Sequence, residues 1–336
     1  MRRGPIVALL GIGVIAGAAA TAVAIFLPWL PPVASKERGR IDLVFWFTVS
    51  ICILIFAIVV AVLLYSILRF RAAPDDDSDG PPIHGHTGLE IVWTLIPTVL
   101  VTAIGIVSAI VLARDDALGK NVLQVNVTAQ QFTWSFQYPN DGKVTSGTLR
   151  LPVGRSVLLH LQAKDVIHSF WVPEFGQKED TVPGIVTTLH ITPDKVGTYP
   201  VICTELCGLG HSVMRTQAIV MTQTAFDKWL KTQTAATGSP NPSVSGAAVF
   251  KNNPCGSCHT LKAAGATGTV GPDLDKLSQY ARAAGKPLTA FVHESVADPN
   301  AYVEKGYPKN VMPTFNLPKQ QLDALVQYLV QSSSKG

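Results

Sequence analysis

Three long apolar runs occupy the first third of the chain, and an alternating pattern replaces them after about residue 120. The first run extends from Pro5 to about Leu30 and follows Arg2 and Arg3. The second, Leu43 to Leu68, contains FWFTVSICILIFAIVVAVLLYS, and the third runs from Ile91 to Ala113. Each is long enough to cross a bilayer as a helix, which takes about 20 residues. Pro97 near the start of the third is tolerable in a membrane helix, where neighbours re-satisfy the freed carbonyl. The second and third runs predict a transmembrane two-helix hairpin over 41–114. The first predicts a signal peptide or an extra N-terminal membrane segment over 1–34. The small residues Ala22-Val23-Ala24 within it favour cleavage.

From Val122 the period drops to two. Val122 to Ala129, Ser156 to Leu161 and Thr187 to Ile191 alternate or read as short strands, punctuated at Asp141-Gly142, Pro152-Val153-Gly154, Pro183-Gly184 and Pro193-Asp194. Short strands at such intervals predict an all-β Greek-key sandwich or barrel over 115–231. His160 and His190 fall within strands and read as structural. Residues 232–245 are a linker by composition, with a reach of roughly 20 Å for a flexible chain. After it, Gly246 to Lys251 and Lys319 to Gln331 read as helices that open and close an all-α domain over 246–336.

Composition sharpens this picture in one respect. Hydrophobic residues make up 47% and charged residues 15% of 336, which fits a membrane protein in contact with lipid. The net charge of +4 gives no ground for a nucleic-acid partner. Four of the five cysteines fall in two short motifs, while Cys52 sits in an apolar run. That distribution suggests cofactors rather than a disulfide framework.

The first motif is Cys203-Thr-Glu205-Leu-Cys207-Gly-Leu-Gly-His211-Ser-Val-Met214. Thiolate, imidazole and thioether are donors that suit copper. Two thiolates at this spacing can bridge two coppers, with His211 and an earlier His168 as imidazoles and Met214 and the Glu205 carbonyl as weak axial donors. A disulfide between Cys203 and Cys207 and a Cys2His2 zinc site from His168, Cys203, Cys207 and His211 are the alternatives. The second motif, Cys255-Gly-Ser-Cys258-His259, has the form that attaches c-type haem.

The pattern C-x-E-x-C-x-x-x-H-x-x-M resembles the binuclear copper loop of cytochrome c oxidase subunit II. His86-Thr-Gly-Leu-Glu90-Ile-Val-Trp-Thr-Leu-Ile-Pro97 is similar to the start of that family's second membrane helix. Together with the fused C-terminal domain, similar to a small class I cytochrome c, the chain resembles the haem-c-bearing bacterial members. The resemblance implies a cupredoxin-like fold for 115–231, with a binuclear copper centre on His168, Cys203, Glu205, Cys207, His211 and Met214. It implies a covalent haem c on Cys255, Cys258 and His259, with Met312 as the distal ligand and His293 as the competitor. A Met ligand raises the haem potential. It further implies a magnesium ion shared with subunit I through Glu205, and proton uptake at Glu90.

Phe132 stands where many members have the Trp that admits electrons from a soluble cytochrome, and Trp134 matches the next aromatic; each is a candidate for electron transfer or a core aromatic. The implied function is that of the subunit where electrons enter a terminal respiratory oxidase. Its partners would be subunit I, the other oxidase subunits, and a cytochrome c or a quinol–cytochrome c reductase as donor. The implied location is the bacterial plasma membrane, multi-pass, with both redox domains on the outer face. Residues 239–336 carry nine Lys and Arg against six Asp and Glu. Asp165, Glu174, Glu179 and Asp180 lie near His168 in sequence, which suggests a charge-guided docking of the two domains. Rival readings are a quinol oxidase subunit II, a nitrous oxide or nitric oxide reductase component, and a membrane-anchored copper chaperone. The full ligand set speaks against the first and the haem motif against the chaperone; a nitrous oxide reductase would lack this membrane hairpin and need a large catalytic domain, and a nitric oxide reductase component would differ mainly in its partner subunit.

Overall fold

The computed structural model describes residues 3–71, 80, 82–141, 144–238, 245–253, 255–315 and 317–333. The chain divides into two compact units, one of residues 1–32 and 39–115, the other of residues 33–38 and 116–336.

The first unit is helical. α1 (Arg3–Phe26), α2 (Lys36–Arg69) and α3 (Thr87–Asp115) are each long and apolar enough to cross a membrane. At 1.5 Å per residue α2 is about 50 Å long, well beyond the ~30 Å hydrocarbon core, so at least one end projects from it. In α3 the hydroxyls of Thr94, Thr98 and Thr102 each donate to the carbonyl four residues back, which keeps these polar groups satisfied away from water. Arg40 of α2 pairs with the buried Asp115 at the end of α3. α1 meets α2 through small residues. A methyl group added at Gly13 or Gly17 would lie 3.5 Å or 3.4 Å from the Cβ of Ala61 or Ala57. The spacing of four on both helices is the small-xxx-small pattern that lets membrane helices approach closely.

The second unit begins with ten strands: β1 (Leu123–Gln130), β2 (Thr133–Tyr138), β3 (Val144–Ser146), β4 (Leu149–Pro152), β5 (Val157–Ala163), β6 (His168–Trp171), β7 (Lys178–Thr181), β8 (Thr187–Ile191), β9 (Gly197–Cys203) and β10 (Arg215–Met221). They form two five-stranded sheets, ordered β3-β2-β1-β5-β8 and β4-β10-β9-β6-β7. The alternation in β1 and β2 sends Leu123, Val125, Val127, Trp134 and Phe136 into one core with Phe170, Val201 and Val220 of the other sheet. This is the all-β sandwich expected from the pattern, with the cupredoxin-like fold that the resemblance implies.

Two segments outside the strands complete it. Val33–Arg38 lies along the sandwich. Ala34 N–H donates to Glu174 O at 3.0 Å, Lys36 N–H to Thr192 O at 3.1 Å, and Asp194 N–H to Ala34 O at 3.0 Å. α4 (Gln223–Gly238) packs Phe226 and Trp229 against Tyr138, with the Arg150 guanidinium 5.1 Å from the Trp229 ring centroid. This helix runs into the stretch that composition alone reads as linker. Residues 239–244 lie outside the described residues.

The C-terminal domain is helical: α5 (Gly246–Asn252), α6 (Cys255–Cys258), α7 (Leu277–Ala283), α8 (Leu288–Ala297) and α9 (Lys319–Ser333). Ser245 caps α5 by accepting the Ala248 N–H. Val249 and Phe250 of α5, Phe291 and Val292 of α8, and Leu325 and Leu329 of α9 share its core.

Candidate metal centre and haem site

β6 and β9 are antiparallel neighbours, with Phe170 opposite Cys203. The period of two turns His168 and Phe170 toward the core, so His168 comes beside the last residue of β9. Beyond Cys203 the chain leaves the sheet, makes a short 3-10 turn at His211–Val213 and returns into β10. The neck of this loop is closed by the Cys203 N–H, which donates to Met214 O at 3.2 Å.

The loop gathers its donors tightly. The Cys203 and Cys207 Sγ atoms are 3.9 Å apart. His168 Nδ1 lies 4.0 Å from the Cys203 sulfur, and His211 Nδ1 lies 3.6 Å from the Cys207 sulfur. Met214 Sδ is 3.8 Å from the Cys207 sulfur, and the Glu205 carbonyl is 3.3 Å from the Cys203 sulfur. His168, Cys203, Cys207 and Met214 are all buried. The two thiols are free, far beyond the ~2.05 Å of a disulfide. His168, Cys203 and Cys207 fall within the compass of a single metal ion. Each thiol has an imidazole within 4.0 Å, and the Met214 thioether stands beside them. The donor set therefore fits copper.

The electrostatics favour a thiolate at one end. Burial pushes the Cys203 thiol up, but hydrogen bonds from His168, the backbone at Glu205 and Ser169, and His211 outweigh it and bring it down to about 7. Burial and the neighbouring Cys203 push the Cys207 thiol up. Burial disfavours charge on His168, yet its contacts with Cys203 and Asp165 raise it above the usual imidazole value.

Asp165 is the supporting residue that sequence reasoning placed only among rim acids. Its carboxylate accepts the Gln131 N–H at 2.7 Å, the Val166 N–H at 2.7 Å and His168 Nε2–H at 2.8 Å. The available signal was its position three residues before the imidazole. Gln131 in turn donates its side-chain amide to Cys207 O at 2.5 Å. Trp134 is buried edge-on to His168, with ring centroids 6.2 Å apart. Phe132 is also buried. The Glu205 side chain points to solvent. Glu90 is exposed at the first turn of α3, where its Oε1 accepts the His86 N–H at 3.1 Å.

In the C-terminal domain Cys255, Cys258, His259 and Met312 line one largely apolar cavity with Leu274 and Phe291. His259 Nδ1–H donates to Pro272 O at 2.7 Å, which leaves Nε2 as the ligand nitrogen. Burial pushes this imidazole toward its neutral form. Gly271 leaves room for the ring, because a Cβ there would sit 2.5 Å from His259 Cε1. His293 is exposed and stands outside the lining. Two attachment thiols, a neutral imidazole with a free nitrogen and an apolar slot fit a covalent haem. Phe132, Val213 and Arg215 of the copper domain line the same cavity.

Residues 22–111 match the transmembrane domain of cytochrome c oxidase subunit II, residues 143–223 its periplasmic domain, and residues 243–333 the cytochrome c family. Cytochrome c oxidase subunit 2 of Alkalihalophilus pseudofirmus is 33% identical over 298 residues, 84% of this chain and 84% of that protein. Cytochrome c oxidase subunit 2 of Bacillus sp. PS3 is 30% identical over 289 residues, 78% of this chain and 79% of that protein. Among solved structures, the periplasmic domain of cytochrome oxidase subunit II of Bradyrhizobium japonicum is 28% identical. It covers 35% of this chain and 96% of that one, with a TM-score of 0.34.

Proposed function

Because this chain belongs to the cytochrome c oxidase subunit II family and ends in a cytochrome c domain, we propose that it is the subunit where electrons enter a terminal respiratory oxidase. Electrons come from a cytochrome c or a quinol–cytochrome c reductase at the C-terminal domain. They leave from the Cys203–Met214 loop for haem in subunit I, where oxygen is reduced and protons are pumped.

The observation that carries the reading is the pairing of donors, two sulfurs 3.9 Å apart with one imidazole beside each. His168, Cys203, Cys207, His211, Met214 and the Glu205 carbonyl would hold a binuclear copper centre. Cys255, Cys258, His259 and Met312 would hold the haem. When bound, these groups supply reversible one-electron transfer. The chain itself contributes rigidity. β6, β9 and β10 anchor the ends of the donor set, and Asp165 keeps His168 Nδ1 turned toward Cys203. Burial of His168, Cys203, Cys207 and Met214 excludes water from the donors. The Pro272 carbonyl holds His259 with Nε2 free for iron.

Covalent haem c is attached on the outer face of the bacterial membrane. Residues 116–336 accordingly lie outside and the hairpin loop inside; the positive-inside rule alone is ambiguous, because Arg69 and Arg71 in the hairpin face Lys36, Arg38 and Arg40 on the other flank. Glu90 at the inner end of α3 would take up protons there. The exposed Glu205 carboxylate is available to a magnesium ion at the boundary with subunit I.

Paramagnetic resonance and metal analysis of the purified oxidase test the reading. The expected spectrum has one unpaired electron shared by two copper nuclei, with haem iron in the same chain. Cys207→Ser should abolish the shared-electron pattern and its near-infrared band. An unchanged band in that variant, or zinc in place of copper, would overturn the assignment.

A further inference from the structure

One carboxylate stands in the wall of the cavity that would hold the haem. Among the described residues, Glu304 is the only acidic side chain in the lining, and no lysine or arginine of the C-terminal domain joins it. The one other charged side chain there, Arg215, comes from the copper domain and donates Nε–H to Ser212 O at 3.1 Å.

Glu304 is held by its backbone and by its side chain. Its carbonyl accepts the Tyr307 N–H at 3.1 Å, which closes a turn where Gly306 takes a left-handed φ of 95°. Its Oε2 accepts the Tyr302 hydroxyl at 3.3 Å. The Tyr302 ring lies edge-on to Phe291 of α8, with centroids 5.4 Å apart, and Phe291 is buried in the core of the domain. The turn belongs to the loop that leads into Met312, so the carboxylate is anchored on the side of the cavity that would supply the distal ligand.

No cation neutralises this carboxylate. Among the described residues Glu304 has no ion-pair partner. Lys286 is committed to Glu294 at 2.6 Å and Lys276 to Asp273 at 3.3 Å. Lys305 and Lys309 on the same loop are exposed. The charge is felt by the phenols around it. Burial raises Tyr302 and Tyr280 above their ordinary value, and the Glu304 carboxylate adds to the rise in both.

An electron that passes from the haem to the copper pair reduces the copper and leaves the haem one positive charge richer. A negative charge held on the cavity wall favours that oxidised haem. We infer that Glu304 is a potential-setting residue, whose carboxylate lowers the haem potential and tilts the shared electron toward copper. It acts against the Met312 thioether, which raises the potential. The inference rests on the functional reading above and deepens it by assigning the direction of flow to a named side chain. At an effective dielectric of about 20, and with screening by salt, one unit charge on such a wall changes the equilibrium by roughly three- to tenfold.

The test uses the intact, metal-loaded oxidase. Photoreduction delivers one electron to each chain, and the ratio of reduced haem to reduced copper is read from the visible haem band and the near-infrared copper band. Glu304→Gln removes the charge but keeps the shape and an acceptor for the Tyr302 hydroxyl. The ratio should rise by roughly three- to tenfold. Glu304→Asp keeps the charge and should stay within about twofold of the unmutated ratio.

The long-wavelength band of Met-ligated haem is recorded in each variant, because loss of that ligand would change the ratio by itself. An unchanged ratio in Glu304→Gln with the band intact would overturn the assignment, and so would an equal change in Glu304→Asp. If Glu304→Gln loses the band, Glu304→Ala repeats the measurement. An unchanged ratio there, or loss of the band there too, would also overturn the assignment. Absence of the haem or copper band from the unmutated oxidase would overturn the functional reading itself and is distinguishable from all these outcomes.

Discussion

Asp165 Oδ1 lies 2.8 Å from Nε2 of His168, the imidazole whose Nδ1 faces the Cys203 sulfur. The same carboxylate accepts two backbone N–H groups, from Gln131 and Val166, so three elements of the site meet at one side chain. Outer partners of this kind set the tautomer and orientation of a metal-binding imidazole. Asp165→Ala is expected to weaken copper binding by about 10–100-fold and leave the sandwich folded. Copper titration of the metal-depleted protein against a competing chelator checks it, and an unchanged affinity would count against a positioning role.

Gly271 passes so close to His259 that a Cβ would lie 2.5 Å from Cε1 and 2.8 Å from Nδ1. Gly271→Ala should displace the ring from the Pro272 carbonyl. Covalent attachment at Cys255 and Cys258 should persist, because those thiols sit on a different element. The expected result is a haem that remains bound through denaturation but has an altered axial-ligand spectrum.

Ser35 joins the segment before α2 to the sandwich. Its hydroxyl donates to Phe175 O at 3.0 Å and accepts the Arg38 N–H at 3.0 Å, and the residue is fully buried. Ser35→Ala removes a helix cap and leaves a buried carbonyl without this partner, at a cost of about 1–3 kcal/mol. Thermal loss of the copper absorption should come at lower temperature. An unshifted midpoint would show that the segment is dispensable to the sandwich.

The close approach of Gly13 and Gly17 to Ala61 and Ala57 bears on the fate of α1. Packing of this kind depends on the absence of side chains at the contact. We expect α1 to remain in the assembled oxidase as a third membrane span, against the cleavage that Ala22-Val23-Ala24 suggests. N-terminal sequencing and intact mass of the purified subunit decide this. A chain that starts near residue 25 would show that α1 is removed.

Much of this chain is determined locally, and that part was legible from sequence. The apolar runs dictate membrane helices because length and hydrophobicity alone decide whether a helix can span. The alternation of β1 and the punctuated short strands dictate a sandwich, and strand β8 (Thr187–Ile191) falls where the pattern places it. The chemistry of the loop is local too. Cys203, Cys207, His211 and Met214 are close in sequence, so a short turn suffices to gather them.

What only the tertiary structure decided involves residues far apart in the chain. His168 reaches Cys203 because β6 pairs with β9, a relationship that neither strand encodes by itself. Asp165 becomes a support rather than a rim charge because β1 and β5 pair side by side in one sheet, which brings Gln131 beside it. Residues 33–38 join the copper domain through backbone hydrogen bonds to Glu174 and Thr192. Such bonds leave no mark in side-chain pattern, since every residue carries the same donor and acceptor. Val311 has the composition of any loop valine. It meets the core around Phe132 only when both domains have folded and their surfaces are complementary. Local periodicity specifies the elements, whereas burial against distant partners selects which of their faces meet.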